Sequence, residues 1–168
     1  MEKRDPIMNT PTLTELVGAS RLAAGLDAEQ TAVLARCVTM RTLRAGEVLA
    51  QEGSADNRLY VILDGSIAVV KAHATPDEEI LVKLNAGDFV HELGFLDGAP
   101  RYASLVAASD GQVLVLEREA LEGLIDTHPR IVYAVMRNIV RAVHDVQKRL
   151  AVQASELTNY IVKQHGRY

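Results

Sequence analysis

The stretch GDFVHELGFLDGAPRYAS, residues 87–104, decides the reading of this chain. An apolar strand end runs into a Gly-rich turn that carries the acid Glu92 and the base Arg101. Taken singly, each reads as a solvated surface charge of the kind that forms weak ion pairs. Together on one loop they divide a task. An arginine presented from a turn pairs with one phosphate through its planar fork of donors, and backbone amides of a tight turn form an anion-binding nest. An ionised carboxylate only accepts hydrogen bonds, so Glu92 suits a sugar hydroxyl and repels a phosphate. The pair fits a sugar phosphodiester.

Outward from this loop, positions 39 to 117 are short β-prone runs punctuated by Gly and Asp, as at 59–63, 67–70, 80–84 and 113–116. The AspGly pair at 64–65, inside LYVILDGSIAVV, supplies the positive φ angles of a tight turn and predicts a β-hairpin there. Further turns at 85–88, 97–98 and 110–111 recur at short spacing, which favours a closed barrel or jelly roll over an open sheet. Short helices are expected near 13–24 and 27–38, with Asp27 and Gln30 as a capping pair, and near 118–126. Pro129 opens a helix that meets no further Gly or Pro until Gly166. Along it Val132, Met136, Ile139, Val143, Val146, Leu150, Gln153, Leu157 and Tyr160 alternate steps of four and three, a heptad seam about 43 Å long at roughly 1.5 Å per residue. That exceeds what one face of a small barrel covers. A parallel two-stranded coiled coil, with Gln153 as a polar register position, is therefore expected.

The expected fold is mainly β with flanking helices: a jelly-roll β-barrel, a cupin-like double-stranded β-helix, plus a long C-terminal dimerisation helix. The division expected is a flexible tail over 1–12, the β-barrel domain with its short helices over 13–129, and the dimer helix over 130–165. The chain has 168 residues, enough for one sizeable core. No apolar run approaches the length of a membrane span, and the N-terminus does not read as a secretory signal, so a cytoplasmic protein with no membrane partner is expected. Cys37 is the only cysteine and is expected to be buried and inert. The net charge is −4, and no basic cluster forms a stripe that would track phosphates, so no direct nucleic-acid partner is expected.

Segment 87–104 resembles the phosphate-binding cassette of cyclic-nucleotide-binding domains, the family of the catabolite activator protein. LRAGEVLAQEG at 43–53 and LYVILDGSIAVV at 59–70 resemble the family's first strands, with Gly46, Glu47, Gly53, Tyr60 and Gly65 in place. The likeness extends over about residues 20–150. It implies cAMP or cGMP as ligand and no cofactor. Glu92 would take the ribose 2′-hydroxyl and Arg101 the cyclic phosphate. Leu93, Gly94, Tyr102 and Ala103 would line the cassette, and the helix near Val143 and Gln147 would cover the purine. Two residues depart from the pattern. His91 stands where the family has Gly, and Tyr102 stands where a small residue is usual.

Other readings are weaker. His73, His91, His128, His144 and His165 form no HisXHis or HisGluXXHis pattern, so a cupin-type metal site is not expected. No Ser, Cys or His stands in a nucleophile turn such as GlyXSerXGly, and an enzyme is not expected. Only Gly166 to Tyr168 follow the long helix, so a helix-turn-helix domain is not expected and any genetic output is expected to pass through another protein. The serious alternative is a degenerate domain that keeps barrel and dimer helix but serves as a nucleotide-independent interaction module. Retention of both Glu92 and Arg101 favours a ligand-binding sensor, signalling through a homodimer to a protein partner.

Overall fold

The computed structural model describes residues 10–165, with the side chains at 150, 157, 158 and 161–165 outside that description. Most of the expected tail, 1–9, and the last three residues also lie outside it. Helix α1 (Leu13–Ala19) and helix α2 (Ala28–Ala35) start on capping boxes, Thr12 with Glu15 and Asp27 with Gln30. A 3-10 turn, Arg21–Ala23, lies between them, and Gly25 at φ 85° closes it, so the helix expected over 13–24 is two pieces.

Eight strands follow: β1 (Val38–Leu43), β2 (Val48–Ala50), β3 (Arg58–Asp64), β4 (Ser66–Lys71), β5 (Glu79–Asn85), β6 (Phe89–Val90), β7 (Ser104–Ala107) and β8 (Gly111–Glu117). They form two antiparallel four-stranded sheets ordered β1-β8-β3-β6 and β2-β7-β4-β5. A short helix α3 (Glu92–Asp97) interrupts the strands, α4 (Arg118–Glu122) follows them, and α5 (Pro129–His165) ends the chain. No helix among the described residues is long and apolar enough to cross a membrane.

One feature of the jelly roll overturns the expected hairpin. Strands β3 and β4 flank Asp64 and Gly65 but belong to different sheets and do not pair. Only Gly65 takes positive φ, 79°, whereas a type I′ turn needs it at both central residues. The dipeptide is a corner that carries the chain from one sheet to the other. A Cβ on Gly65 would stand 2.4 Å from the Asp110 carbonyl oxygen, and one on Gly111 would stand 2.2 Å from that of Asp64. The two corners touch backbone to backbone, which only glycine permits. The β4–β5 pair, across 72–78, is the true hairpin.

Strands β3 and β8 are apolar without alternation because both their faces are covered. Leu59, Val61, Leu114 and Leu116 pack under the helices, while Tyr60, Ile62, Val113 and Val115 fill the space between the sheets. Strand β5 is instead an edge strand with Ile80, Leu81 and Val82 exposed. Cys37, expected to be buried, is half-buried, and that burial raises its thiol pKa.

Helix α5 spans 37 residues, about 55 Å at roughly 1.5 Å per residue. Its Ile131, Ala134, Val135, Ile139 and Ala142 are buried on the barrel side. Asn138 donates to the Leu22 and Ala24 carbonyls at 3.1 and 2.9 Å, pinning the 3-10 turn to the helix. This corrects the expected seam. Ile139 belongs to the barrel face and Val132 packs against the same core, whereas Met136 and Val140 are exposed and Val143 is half-buried. The apolar stripe left uncovered is Met136, Val140, Val143, one residue out of register with the expected a/d pattern at every second position. The seam positions 150 and 157 have side chains outside the description. Arg130, Arg137, Arg141 and Lys148 share one face of α5 at 100° per residue.

Candidate functional site

Strand β6 ends at Val90, and the chain turns through His91 in the left-handed region, φ 69° and ψ 33°, into α3. Gly98, also left-handed, closes that helix through its N–H on the Gly94 carbonyl at 2.9 Å. The sequence reading took this segment as a turn; it contains a helix, because an αL residue at each end makes room for one and a half turns. Arg101 is then held by its backbone, its N–H donating to the Ser54 carbonyl at 3.0 Å and its carbonyl accepting from Gly53 at 2.7 Å. The Lys71 ammonium donates to the Tyr102 carbonyl at 2.8 Å and pairs with Glu52, so the next residue is fixed from β4.

These elements enclose a cavity of about 500 Å³. The structure brings His91, Glu92, Leu93, Gly94, Arg101, Tyr102 and Ala103 together on its wall. Val143 and Gln147 are not among the lining residues. The α5 side chains that reach the cavity are Ala142, Val146, Arg149 and Gln153, and Gln147 is exposed. At 100° per residue the cavity residues continue the barrel face along α5, and the positions expected over the purine, Val143 and Gln147, point further round.

Arg101 is not a solvated loop arginine. It is 3% exposed, its Nη2 donates to Asp56 Oδ2 at 2.6 Å, and its guanidinium lies 5.6 Å from the centre of the Tyr60 ring. Its Nε and Nη1 are buried without a hydrogen-bond partner. Buried donors of a charged group are costly to leave unmet. Charge-assisted donors of a guanidinium are the groups that an anionic oxygen satisfies. Burial, chiefly, and the Asp88 charge push the Glu92 carboxyl pKa up, against its own backbone amide. The cavity therefore holds a cation with spare donors together with a carboxyl whose ionisation burial disfavours, and its walls include the apolar Val69, Val82, Leu84 and Val146.

Asp56 was not legible as a site residue. It lies between β2 and β3, ahead of an apolar run, and nothing local in the sequence indicates the cation that it meets 45 positions later. Its carboxylate also accepts a long bond, 3.4 Å, from the Tyr60 hydroxyl. At the mouth Arg149 stands 3.7 Å from Asp88, and Arg21, from the 3-10 turn, pairs with Asp145 of α5 at 2.5 Å. Among the described residues no three His, Cys, Asp or Glu side chains group as a metal site.

Comparison with known proteins gives this cavity a family. The profile described as "Cyclic nucleotide-binding domain" matches residues 40–128. The chain is 22% identical over 139 residues to the CRP-like cAMP-activated global transcriptional regulator of Mycobacterium tuberculosis, covering 83% of this chain and 62% of the relative. It is 28% identical over 123 residues to a cyclic nucleotide-gated potassium channel of Rhizobium etli, covering 73% of this chain and 33% of that one. Among solved structures, a cyclic nucleotide-binding domain from Methylobacillus flagellatus superposes with a TM-score of 0.70 at 25% identity, covering 82% of this chain and 77% of the other. The chain thus spans less than two thirds of these curated relatives. With the profile matched across the barrel and its cassette, the chain belongs to the cyclic nucleotide-binding domain family.

Proposed function

We propose that this chain is a regulatory protein that binds cAMP or cGMP in the cavity and passes the bound state through α5 to a partner protein, by binding and without catalysis. The observation that carries the reading is Arg101, buried in the cavity wall with two unmet donors, in the same cavity as Glu92. Arg101 pairs with the cyclic phosphate and Glu92 with the ribose hydroxyl. Val146, Arg149 and Gln153 place α5 against the ligand. A ligand shifts a conformational equilibrium only by its differential affinity for the two states, and this contact supplies such a difference.

The chain acts as a homodimer through the stripe of exposed Met136 and Val140 with half-buried Val143. Val152 and Tyr160 are exposed toward the end of α5, and this end is the surface that a protein partner reads. The cationic stripe from Arg130 to Lys148 fits an acidic surface on that partner.

Thermal unfolding with and without nucleotide tests the reading. At 100 times the dissociation constant a native-state ligand adds about 2.7 kcal/mol, which at this chain length raises the midpoint by roughly 5 to 10 °C. Arg101→Ala abolishes that difference between liganded and free protein. No shift with cAMP or cGMP at millimolar concentration would instead leave a nucleotide-independent dimeric interaction module.

A further inference from the structure

We propose that His91 makes ligand binding in this cavity proton-linked, its imidazole serving as a second, titratable cation beside Arg101; the proposal rests on the cyclic-nucleotide reading of the site. A histidine at φ 69° occupies backbone space that side chains rarely adopt. Two contacts hold it there. Its ring packs against Gly94, so closely that a Cβ at 94 would stand 2.0 Å from His91 Cε1. Its Nε2 lies 3.2 Å from the Asp56 carbonyl oxygen. A carbonyl only accepts, so Nε2 carries the hydrogen and Nδ1 is left as the nitrogen that titrates.

The charges around this ring come from three elements. Asp56 reaches it from the loop between β2 and β3, Arg101 from the loop after α3, and Asp97 and Glu92 stand on α3 itself. The Asp56 carboxylate is already engaged by Arg101. In the empty site burial, first, and the Arg101 charge, second, hold the imidazole below its ordinary value. A phosphodiester on the free donors of Arg101 cancels the second of these and adds an anion next to the ring. The imidazole is then easier to protonate in the complex than in the free protein. By linkage, affinity rises as pH falls through the bound-state pKa and levels off below the free-state one. Glu92 acts with the opposite sign, because a ribose hydroxyl favours its ionised form while burial favours the neutral one.

Calorimetric titration of cAMP and of cGMP into the full chain between pH 8 and pH 5.5 tests this, run in two buffers of different ionisation enthalpy so that proton uptake is read directly. His91→Asn tolerates the left-handed backbone and does not titrate, and His91→Gly removes the strain altogether. The wild type takes up protons on binding and exceeds both variants in affinity increasingly toward low pH. The gain is about tenfold for each pH unit by which binding raises the imidazole pKa. Identical pH profiles and proton uptake in wild type and both variants would overturn the role of His91 while leaving nucleotide binding intact. No binding by any of the three at any pH would overturn both readings together.

Discussion

Removal of either member of the Arg101–Asp56 pair should destabilise the empty protein, and removal of both should cost less than the sum. The two side chains are 2% and 13% exposed and meet at 2.6 Å. Breaking a buried pair from one side strands a charge, at about 3 to 5 kcal/mol. For a chain of this size that lowers the unfolding midpoint by roughly 6 to 20 °C. Asp56→Ala should be the more damaging, because Arg101 is the more deeply buried and already has two unmet donors. In Asp56→Ala/Arg101→Ala neither charge is stranded, and the cycle should show a coupling of about 1 to 3 kcal/mol. Urea unfolding of the four proteins at pH 7 without ligand measures this. Additive costs would show that the pair is not the buried, mutually dependent unit described here. Nucleotide titration then separates the roles. Asp56→Ala keeps Nε and Nη1 of Arg101 and still binds, whereas both proteins lacking Arg101 do not.

Two neighbouring residues of α5 should behave in opposite ways. Ile139→Ala, at a fully buried position on the barrel face, should cost about 2 to 5 kcal/mol in thermal unfolding, while Val140→Glu, at a 48% exposed position, should leave the barrel folded and convert dimer to monomer in sedimentation. Unchanged sedimentation of Val140→Glu would remove this stripe as the dimer contact. Glu92→Gln should raise the unfolding midpoint at neutral pH while losing the nucleotide-induced shift. Burial raises the folded-state pKa of Glu92 above its unfolded value, so stability is lost as pH rises through the folded pKa, and the variant's advantage should vanish toward acid in a pH series.

The fold was legible where one local pattern has one structural meaning. Asp27 with Gln30 marked a helix start, and the long run after Pro129 marked the start of α5. It was misread where a local pattern has two. AspGly at 64–65 suits a hairpin and a sheet-to-sheet corner equally, and only the long-range contact with Gly111 distinguishes them. The α5 seam failed for a related reason. Val132, Ile139 and Val146 are apolar because the barrel and cavity need them, so the apolar stripe is wider than a dimer seam and its centre cannot be taken from spacing. In the cassette, Glu92 and Arg101 were legible as a pair through chemistry and resemblance. Asp56 was not, since its role depends on a partner from another loop.

What sets the cavity apart is that it collects features a folding sequence otherwise avoids. Arg101 is buried with two donors unmet, Glu92 is buried enough to resist ionisation, and His91 sits in left-handed backbone with its ring on a glycine. Each is unfavourable for the empty protein, and none helps another to pack. Local departures from the rules of folding are expected where function competes with stability. The proposed ligand would resolve two of them at once: its phosphate would meet the free Arg101 donors, and its sugar hydroxyl would give the ionised Glu92 carboxylate a donor. The same anion would make protonation of His91 favourable. On that proposal, filling the cavity would relieve much of its strain, and α5, which lines it through Val146 and Gln153, would be the element placed to register the change.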